Sequence, residues 1–108
     1  MADPRIRQIK IKTGVVRRLV KEEASYKTEA KQQKEKVERL KTEEADKYVI
    51  KKQVEVLQES EMMIPDCRRR LTTAHEDLLQ LLDAEKDLEE SEEYKEARNT
   101  LDSVKLEG

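Results

Sequence analysis

The chain of 108 residues has no tryptophan or phenylalanine, and only two glycines, two prolines and one cysteine. Folds rich in strands and loops need aromatic and turn-forming residues, so this scarcity argues against a β-rich domain. The single cysteine, Cys67, excludes an intramolecular disulfide. The first residues, MADPRIRQIKIK, lack the apolar core of a secretory signal, and no apolar run is long enough to span a membrane. We therefore expect a soluble protein of a reducing compartment, the cytosol.

Charge is what the chain has in abundance, since 44% of its residues are charged and the net charge is −2. Residues 1–21 contain seven Lys or Arg and one Asp, which gives +6, whereas residues 83–108 contain four Lys or Arg and ten Asp or Glu, which gives −6. On a chain that folds back, these segments could attract each other, or each could bind a partner. Heavy use of Glu, Lys, Leu, Gln and Ala is typical of long helices.

Two long helices follow from the spacing of apolar residues. The first is predicted over about residues 4–41, with Asp3 as its cap and Pro4 in its first position. We interpret Gly14, inside this helix, as a close contact with another helix. The second is predicted over about 47–84 and carries two parallel apolar stripes, which suit packing against two neighbours. The first stripe includes Ile50, Val54, Leu57, Ile64, Leu71, Leu78 and Leu82; the second includes Val49, Val56, Met63, Cys67, Ala74 and Leu81.

The apolar series of the second helix keeps its phase across Pro65. A loop would reset this phase, so we predict one continuous helix that is kinked at Pro65, with the proline on the solvent side. The turn between the first two helices is predicted at about 42–46, with Asp46 as the cap of the second helix.

A shorter third helix is predicted over about 88–106, after an Asp87 cap. The predicted fold class is therefore all-α: an antiparallel three-helix bundle that forms a single domain over residues 1–108. The third helix would cover one end and place the basic and acidic segments side by side. Residues 23–64 would form a two-helix arm. The alternative is a rod whose stripes pair between chains.

No constellation of residues predicts catalysis. His75 and Cys67, the only histidine and the only cysteine, are about 12 Å apart along a helix, too far for a hydrogen-bonded pair. We expect both in the core or at its boundary. Because no phosphate loop, metal-ligand cluster or calcium loop is present, we predict no enzyme, no cofactor and no metal. The basic first helix is a weak signal for nucleic acid or for a membrane surface, and we expect neither as a partner.

A contact surface is predicted after the middle of the second helix. Met62 is expected beside Pro65 on the outer face, with Arg69 and Arg70 following, and an exposed methionine near arginines makes an adaptable protein contact. Met62, Arg69 and Arg70 are therefore our candidate partner-binding residues, whereas Arg68 is expected in the helix seam with a structural role.

Several long motifs resemble the tubulin-folding cofactor A family of small tubulin-specific chaperones. They are MADPR, IKIKTGVVRRLVKE, MMIPDCRRRL, EKDLEESEEYKEAR and LDSVKLE, and the resemblance extends from the first residue to the last. It is weakest around residues 22–28, 41–49 and 72–84.

The resemblance implies a cytosolic, cytoskeleton-associated chaperone that uses no ATP. Such a chaperone holds quasi-native β-tubulin after its release from the chaperonin and passes it on for assembly of the αβ heterodimer. Binding by helical faces is implied, and a monomer is favoured, with a dimer as the alternative. The competing functional interpretation is a structural coiled-coil or oligomerisation protein that holds no client.

Overall fold

The computed structural model describes residues 3–104, and all of its regular structure is helical. Helix α1 spans Pro4–Thr42 and helix α2 spans Lys47–Ala84. A single 3-10 turn over Lys86–Leu88 leads to helix α3, Glu92–Ser103. Residues 3–104 contain no strand, so the prediction of an all-α chain with two long helices and a shorter third is confirmed.

Asp3 closes the first turn of α1. Its carboxylate accepts a hydrogen bond from the backbone N–H of Arg5 at 2.9 Å, and its carbonyl oxygen accepts one from the N–H of Ile6 at 3.0 Å. Pro4 is the first helical residue, where the missing N–H would have no partner within the helix in any case. The predicted roles of Asp3 and Pro4 are thus confirmed.

The turn between α1 and α2 occupies residues 43–46. The N–H of Ala45 donates to the carbonyl of Leu40 at 3.0 Å, and the N–H of Glu44 donates to that of Lys41 at 3.1 Å. This pair of bonds is a Schellman motif, which requires a left-handed residue just past the helix end. Glu44 supplies it, with φ of 55°. Glycine usually fills this position, so the turn lacks the usual glycine signal, although its location agrees with the predicted 42–46.

Helix α2 is continuous along its length. Asp46 caps its start, as predicted, by accepting a hydrogen bond from the N–H of Tyr48 at 2.7 Å. The helix then passes through Pro65, which is exposed, without an interruption. Because proline removes one N–H donor and crowds the preceding turn, we still expect a bend at this residue.

The start of α3 differs from the prediction, which placed it at residue 88 after an Asp87 cap. The observed cap is Ser91: its hydroxyl accepts a hydrogen bond from the N–H of Tyr94 at 3.2 Å and donates one to the carbonyl of Leu88 at 2.8 Å. A hydroxyl three residues before a free N–H is the favoured capping geometry, and it moves the helix start to Glu92. The predicted end at residue 106 lies outside the described residues.

Contacts divide the chain into two compact units. The three-helix unit comprises Met1–Lys21 and Arg69–Gly108, and the two-helix unit comprises Glu22–Arg68. Helices α1 and α2 contribute residues to both units, whereas α3 belongs to the three-helix unit alone. A single domain over residues 1–108 stays a prediction.

All three helices contribute to the core of the three-helix unit. The hydroxyl of Tyr94 donates to the carbonyl of Leu82 at 2.9 Å, and Nε2 of His75 lies 3.3 Å from the carbonyl oxygen of Leu101. Helix α3 is therefore tied to α2 by polar contacts as well as by packing. The buried apolar residues are Ile9, Val16, Leu19, Leu71, Leu78, Leu82, Tyr94, Ala97 and Leu101.

Arg5 joins the basic start of the chain to the acidic segment within the three-helix unit. Its guanidinium donates to Glu85 at 2.7 Å, to Asp87 at 2.9 Å and to Asp3 at 2.9 Å. The hydrogen bond to Asp3, followed by those to Glu85 and Asp87, raises the pKa of Arg5, and the hydrogen bonds from Arg5 lower the pKa of Asp3. Of the two alternatives for the charge asymmetry, these contacts support attraction within the chain.

The two-helix unit has a smaller apolar core, and polar contacts link α1 to α2. The side-chain amide of Gln33 donates to the backbone and side-chain carbonyl oxygens of Gln53, both at 2.9 Å. Arg68 donates to Glu23 at 3.1 Å. Ala30, Val37 and Cys67 are the buried apolar residues, whereas Ile50, Val54, Leu57 and Ile64 are half-buried.

Truncation of leucines in α2 should reveal this difference in packing. The sequence predicts that Leu71, Leu78 and Leu101 are buried, and each is at most 4% exposed, whereas Leu57 is half-buried. We expect Leu78→Ala to lower the free energy of unfolding by about 2–5 kcal/mol and Leu57→Ala by less than about 2 kcal/mol. Urea denaturation of both variants measures this, and equal losses would contradict it.

Glycine at position 44 should stabilise the turn. A left-handed backbone costs a non-glycine residue about 1–2 kcal/mol, so Glu44→Gly should raise the free energy of unfolding by about 1 kcal/mol. Glu43→Gly is the matched control, because Glu43 has a negative φ and its N–H completes a helical bond to Arg39. The control should be destabilised by about 0.5–1 kcal/mol in the same denaturation experiment.

Candidate functional site

The three predicted contact residues all lie on α2 but belong to different units. Met62, in the two-helix unit, is 71% exposed. Arg69 and Arg70, in the three-helix unit, are also exposed, and each has an interaction partner within the protein. The structure therefore places one apolar and two basic candidate residues at exposed positions of α2.

Arg68 is a structural residue, as its position in the apolar series predicts. Its guanidinium donates to both carboxylate oxygens of Glu23, at 3.1 and 3.2 Å. The side chain of Glu23 is 11% exposed and also has Lys27 at 3.7 Å. A carboxylate removed from water in this way needs a cationic partner, and Arg68 supplies it.

His75 and Cys67 take part in packing, as predicted. His75 is half-buried with its ring nitrogen against the carbonyl of Leu101. Cys67 is 3% exposed in the two-helix unit. Within residues 3–104, no group of three or more His, Cys, Asp or Glu side chains is arranged to hold a metal ion. In the same range, no helix is both long enough and apolar enough to cross a membrane.

A cleft of about 360 Å³ lies between α1 and α3 in the three-helix unit. Lys10 and Arg17 line it from α1, and three glutamates line it from α3. Gly14 forms part of its wall, and a Cβ atom there would meet nothing within 4 Å. Our interpretation of Gly14 as a close helix contact was therefore wrong: this glycine faces open space. The glutamates are Glu92, Glu93 and Glu96.

A second cleft, of about 400 Å³, lies between α1 and α2 in the two-helix unit. Tyr26 and Glu29 line it from α1, and Val56, Met62 and Met63 are among the residues that line it from α2. Sequence analysis placed Val56 and Met63 on a stripe that packs against a neighbour, yet they are 43% and 38% exposed. The short third helix was the signal for this exposure, because a two-helix arm has no second neighbour to cover that stripe.

The profile of the family described as Tubulin binding cofactor A matches residues 4–101. The chain belongs to the tubulin-binding cofactor A family. The resemblance stated from the motifs is thereby confirmed. A Bos taurus protein named tubulin-specific chaperone A is 73% identical to this chain over 107 residues, which are 99% of each sequence. The names of such relatives describe chaperones and cofactors and not a class of enzymes, in agreement with the prediction of no enzyme.

Two solved structures of the family resemble the fold. Human tubulin chaperone cofactor A has a TM-score of 0.81 and 68% identity, over 95% of this chain and 100% of its own. The crystal structure of tubulin folding cofactor A from Arabidopsis thaliana has a TM-score of 0.83 and 40% identity, over 92% of this chain and 94% of its own. Both agree with an all-helical fold of three helices.

Removal of Arg68 should show that its role is structural. Arg68→Ala leaves the carboxylate of Glu23 with only Lys27 nearby, so we expect the free energy of unfolding to fall by about 1–3 kcal/mol. Arg39→Ala, an exposed arginine of α1 in the same unit, is the control and should change it by less than about 0.5 kcal/mol. Thermal and urea unfolding of both variants measure the difference. Similar losses for the two would mean that the Glu23 contact contributes little.

Proposed function

We propose that this chain is a tubulin-folding chaperone of the cytoplasm, associated with the cytoskeleton. It binds quasi-native β-tubulin after chaperonin release and passes it on for assembly of the αβ heterodimer. Family membership carries this proposal, since a relative named tubulin-specific chaperone A shares 73% identity over 99% of both sequences. We propose that the chain acts as a monomer, with a dimer as the alternative.

The helical faces are the proposed means of binding. An antiparallel arrangement of the helices, with a bend at Pro65, is part of the proposal. The antiparallel arrangement is supported within the two-helix unit, where Glu23 of α1 contacts Arg68 of α2 and Gln33 of α1 contacts Gln53 of α2. Residue numbers therefore increase along α1 in the direction in which they decrease along α2. Such faces offer a broad exposed surface, which suits transient holding of a folded client.

Arg69 and Arg70 are the proposed electrostatic contact. Both are exposed on α2, and tubulin as a client is acidic, so an arginine pair would speed association and set its salt dependence. Met62 is the proposed apolar contact of the two-helix unit, because its unbranched thioether adapts to irregular surfaces. We propose no cofactor and no catalytic step.

Charge reversal tests the arginine contact. We expect Arg69→Glu with Arg70→Glu to weaken binding to purified β-tubulin about tenfold at low salt, or about 1.4 kcal/mol, and to flatten the salt dependence. The control is Lys31→Glu with Lys34→Glu, which makes the same change in net charge at exposed positions of α1. Fluorescence anisotropy at several salt concentrations measures the affinity, and circular dichroism checks that helicity and melting temperature are retained.

Two outcomes of that titration would count against the proposal in different ways. If the parent chain did not bind β-tubulin, the chaperone function would be wrong. If the parent bound and the arginine variant bound equally well at every salt concentration, only the choice of Arg69 and Arg70 would be wrong. A control variant weakened as strongly as the arginine variant would indicate a response to net charge alone.

A further inference from the structure

Large exposed apolar residues are concentrated on one stretch of α2. Of the seven such residues in the described part of the chain, five lie within residues 48–63. Three of them, Val49, Val56 and Met63, recur at seven-residue spacing and are 43%, 43% and 38% exposed. Two helical turns separate successive members, so they lie in one row, the stripe, along this side of α2, and the turns between them carry polar residues such as Gln53 and Ser60. Tyr48 is not part of the stripe, because it precedes Val49 by one residue and therefore points about 100° away around the helix.

The number of helices in the two-helix unit explains why this stripe is exposed. In the three-helix unit, the continuation of the stripe through Ala74 and Leu81 is half-buried, and that unit contains α3 as a third helix. The two-helix unit contains only α1 and α2. Its stripe therefore has the pattern of a helix that packs against two neighbours, although only one neighbour is present. A further helix would complete this packing.

The cleft beside the stripe has room for a large apolar side chain. Its volume is about 400 Å³, and Val56 and Met63 belong both to the stripe and to its wall. Tyr26 of α1 and Met62 of α2 provide further apolar surface. Methionine adapts to the shape of its partner, so these walls can accept a side chain without an exact match.

The charges around the cleft specify its occupant. Its two charged lining residues, Glu29 on α1 and Glu59 on α2, are both acidic and both exposed. A cationic side chain next to the inserted apolar residue would be attracted to this pair. A second copy of the chain fits less well, since a two-fold contact centred on the cleft would bring four carboxylates into one interface.

We infer that the Val49, Val56 and Met63 stripe and its cleft bind an amphipathic helix of the client tubulin that carries a Lys or Arg beside its apolar face. This inference rests on the proposed chaperone function and assigns it a binding mode. The bound helix takes the place of the missing third helix of the two-helix unit. Its apolar residues, at spacings of three, four and seven, cover the stripe, and its cation lies between Glu29 and Glu59.

Matched pairs of substitutions test the apolar part of the inference. Val56→Ser with Met63→Ser removes the stripe next to the cleft. The control is Ile11→Ser with Val20→Ser, because these residues lie on α1 outside the stripe and are similarly exposed, at 50% and 38%. We expect the stripe variant to bind purified β-tubulin about tenfold more weakly than the parent, as loss of a central apolar contact does, and the control less than twofold. Circular dichroism verifies that both variants are folded.

Two further variants keep the test decisive if the serine pair unfolds. Val56→Ile with Met63→Leu preserves the apolar surface and should bind as the parent does. Glu29→Gln with Glu59→Gln removes both charges of the cleft, and we expect it to weaken binding about threefold at low salt and to have no effect at high salt.

Each remaining outcome overturns the inference in a recognisable way. If the parent binds β-tubulin and both the serine pair and the glutamine pair bind equally well, the client is held elsewhere and the chaperone function stands. If the parent fails to bind, the proposed function is wrong and the inference falls with it. If sedimentation shows a dimer of the parent that the serine pair dissociates, a second copy of the chain is the occupant.

Discussion

The unequal lengths of the helices determine most of what is observed in this protein. Helix α2 has 38 residues, about 57 Å, whereas α3 has 12 residues, about 18 Å. Apolar stripes run along the whole of α2, but a third helix is available only to the part that belongs to the three-helix unit. Leu71, Leu78 and Leu82 are therefore buried almost completely, whereas the apolar residues that α2 contributes to the two-helix unit, apart from Cys67, remain half-buried or exposed. The same constraint yields a stable core in one unit and an available surface in the other.

Polar pairs fix how α1 and α2 are aligned in the two-helix unit, where the apolar core is thin. Glu23 and Gln33 interrupt the apolar stripe of α1, and Arg68 interrupts that of α2, yet all three find partners across the helix pair. Such pairs add little net stability, because their desolvation offsets much of the attraction. They do penalise any sliding of α1 along α2, since a shift would leave a buried carboxylate or a half-buried amide without its partner.

Sequence reasoning succeeded where periodicity carried the information. The three helices, the Asp3 and Asp46 caps and the continuity of α2 across Pro65 all follow from spacing and capping chemistry. The start of α3 was missed because Asp87 and Ser91 both have capping side chains, and only the fold decides that Ser91 is used. The surroundings of Gly14 could not be predicted from spacing, because a helical pattern shows where a face points and not what covers it. The exposure of the stripe could be predicted only by combining its position with the short length of the third helix. Tubulin was predicted as the partner only from the resemblance of long motifs to a known family, because residue spacing and charge do not identify a client protein.

The turn at residues 43–46 has a fixed length, because all of its residues are held by hydrogen bonds or by the caps of the two helices. Its Schellman motif and the Asp46 cap leave no residue between the end of α1 and the start of α2 that is unconstrained. Adding or deleting one residue there would break this set of hydrogen bonds and change how α2 is directed against Val37 and Ala30 of α1. Exposed loops usually accept insertions, but this turn determines which face of α2 packs against α1. Among homologous chains, its length should consequently vary less than the amino acids that occupy it.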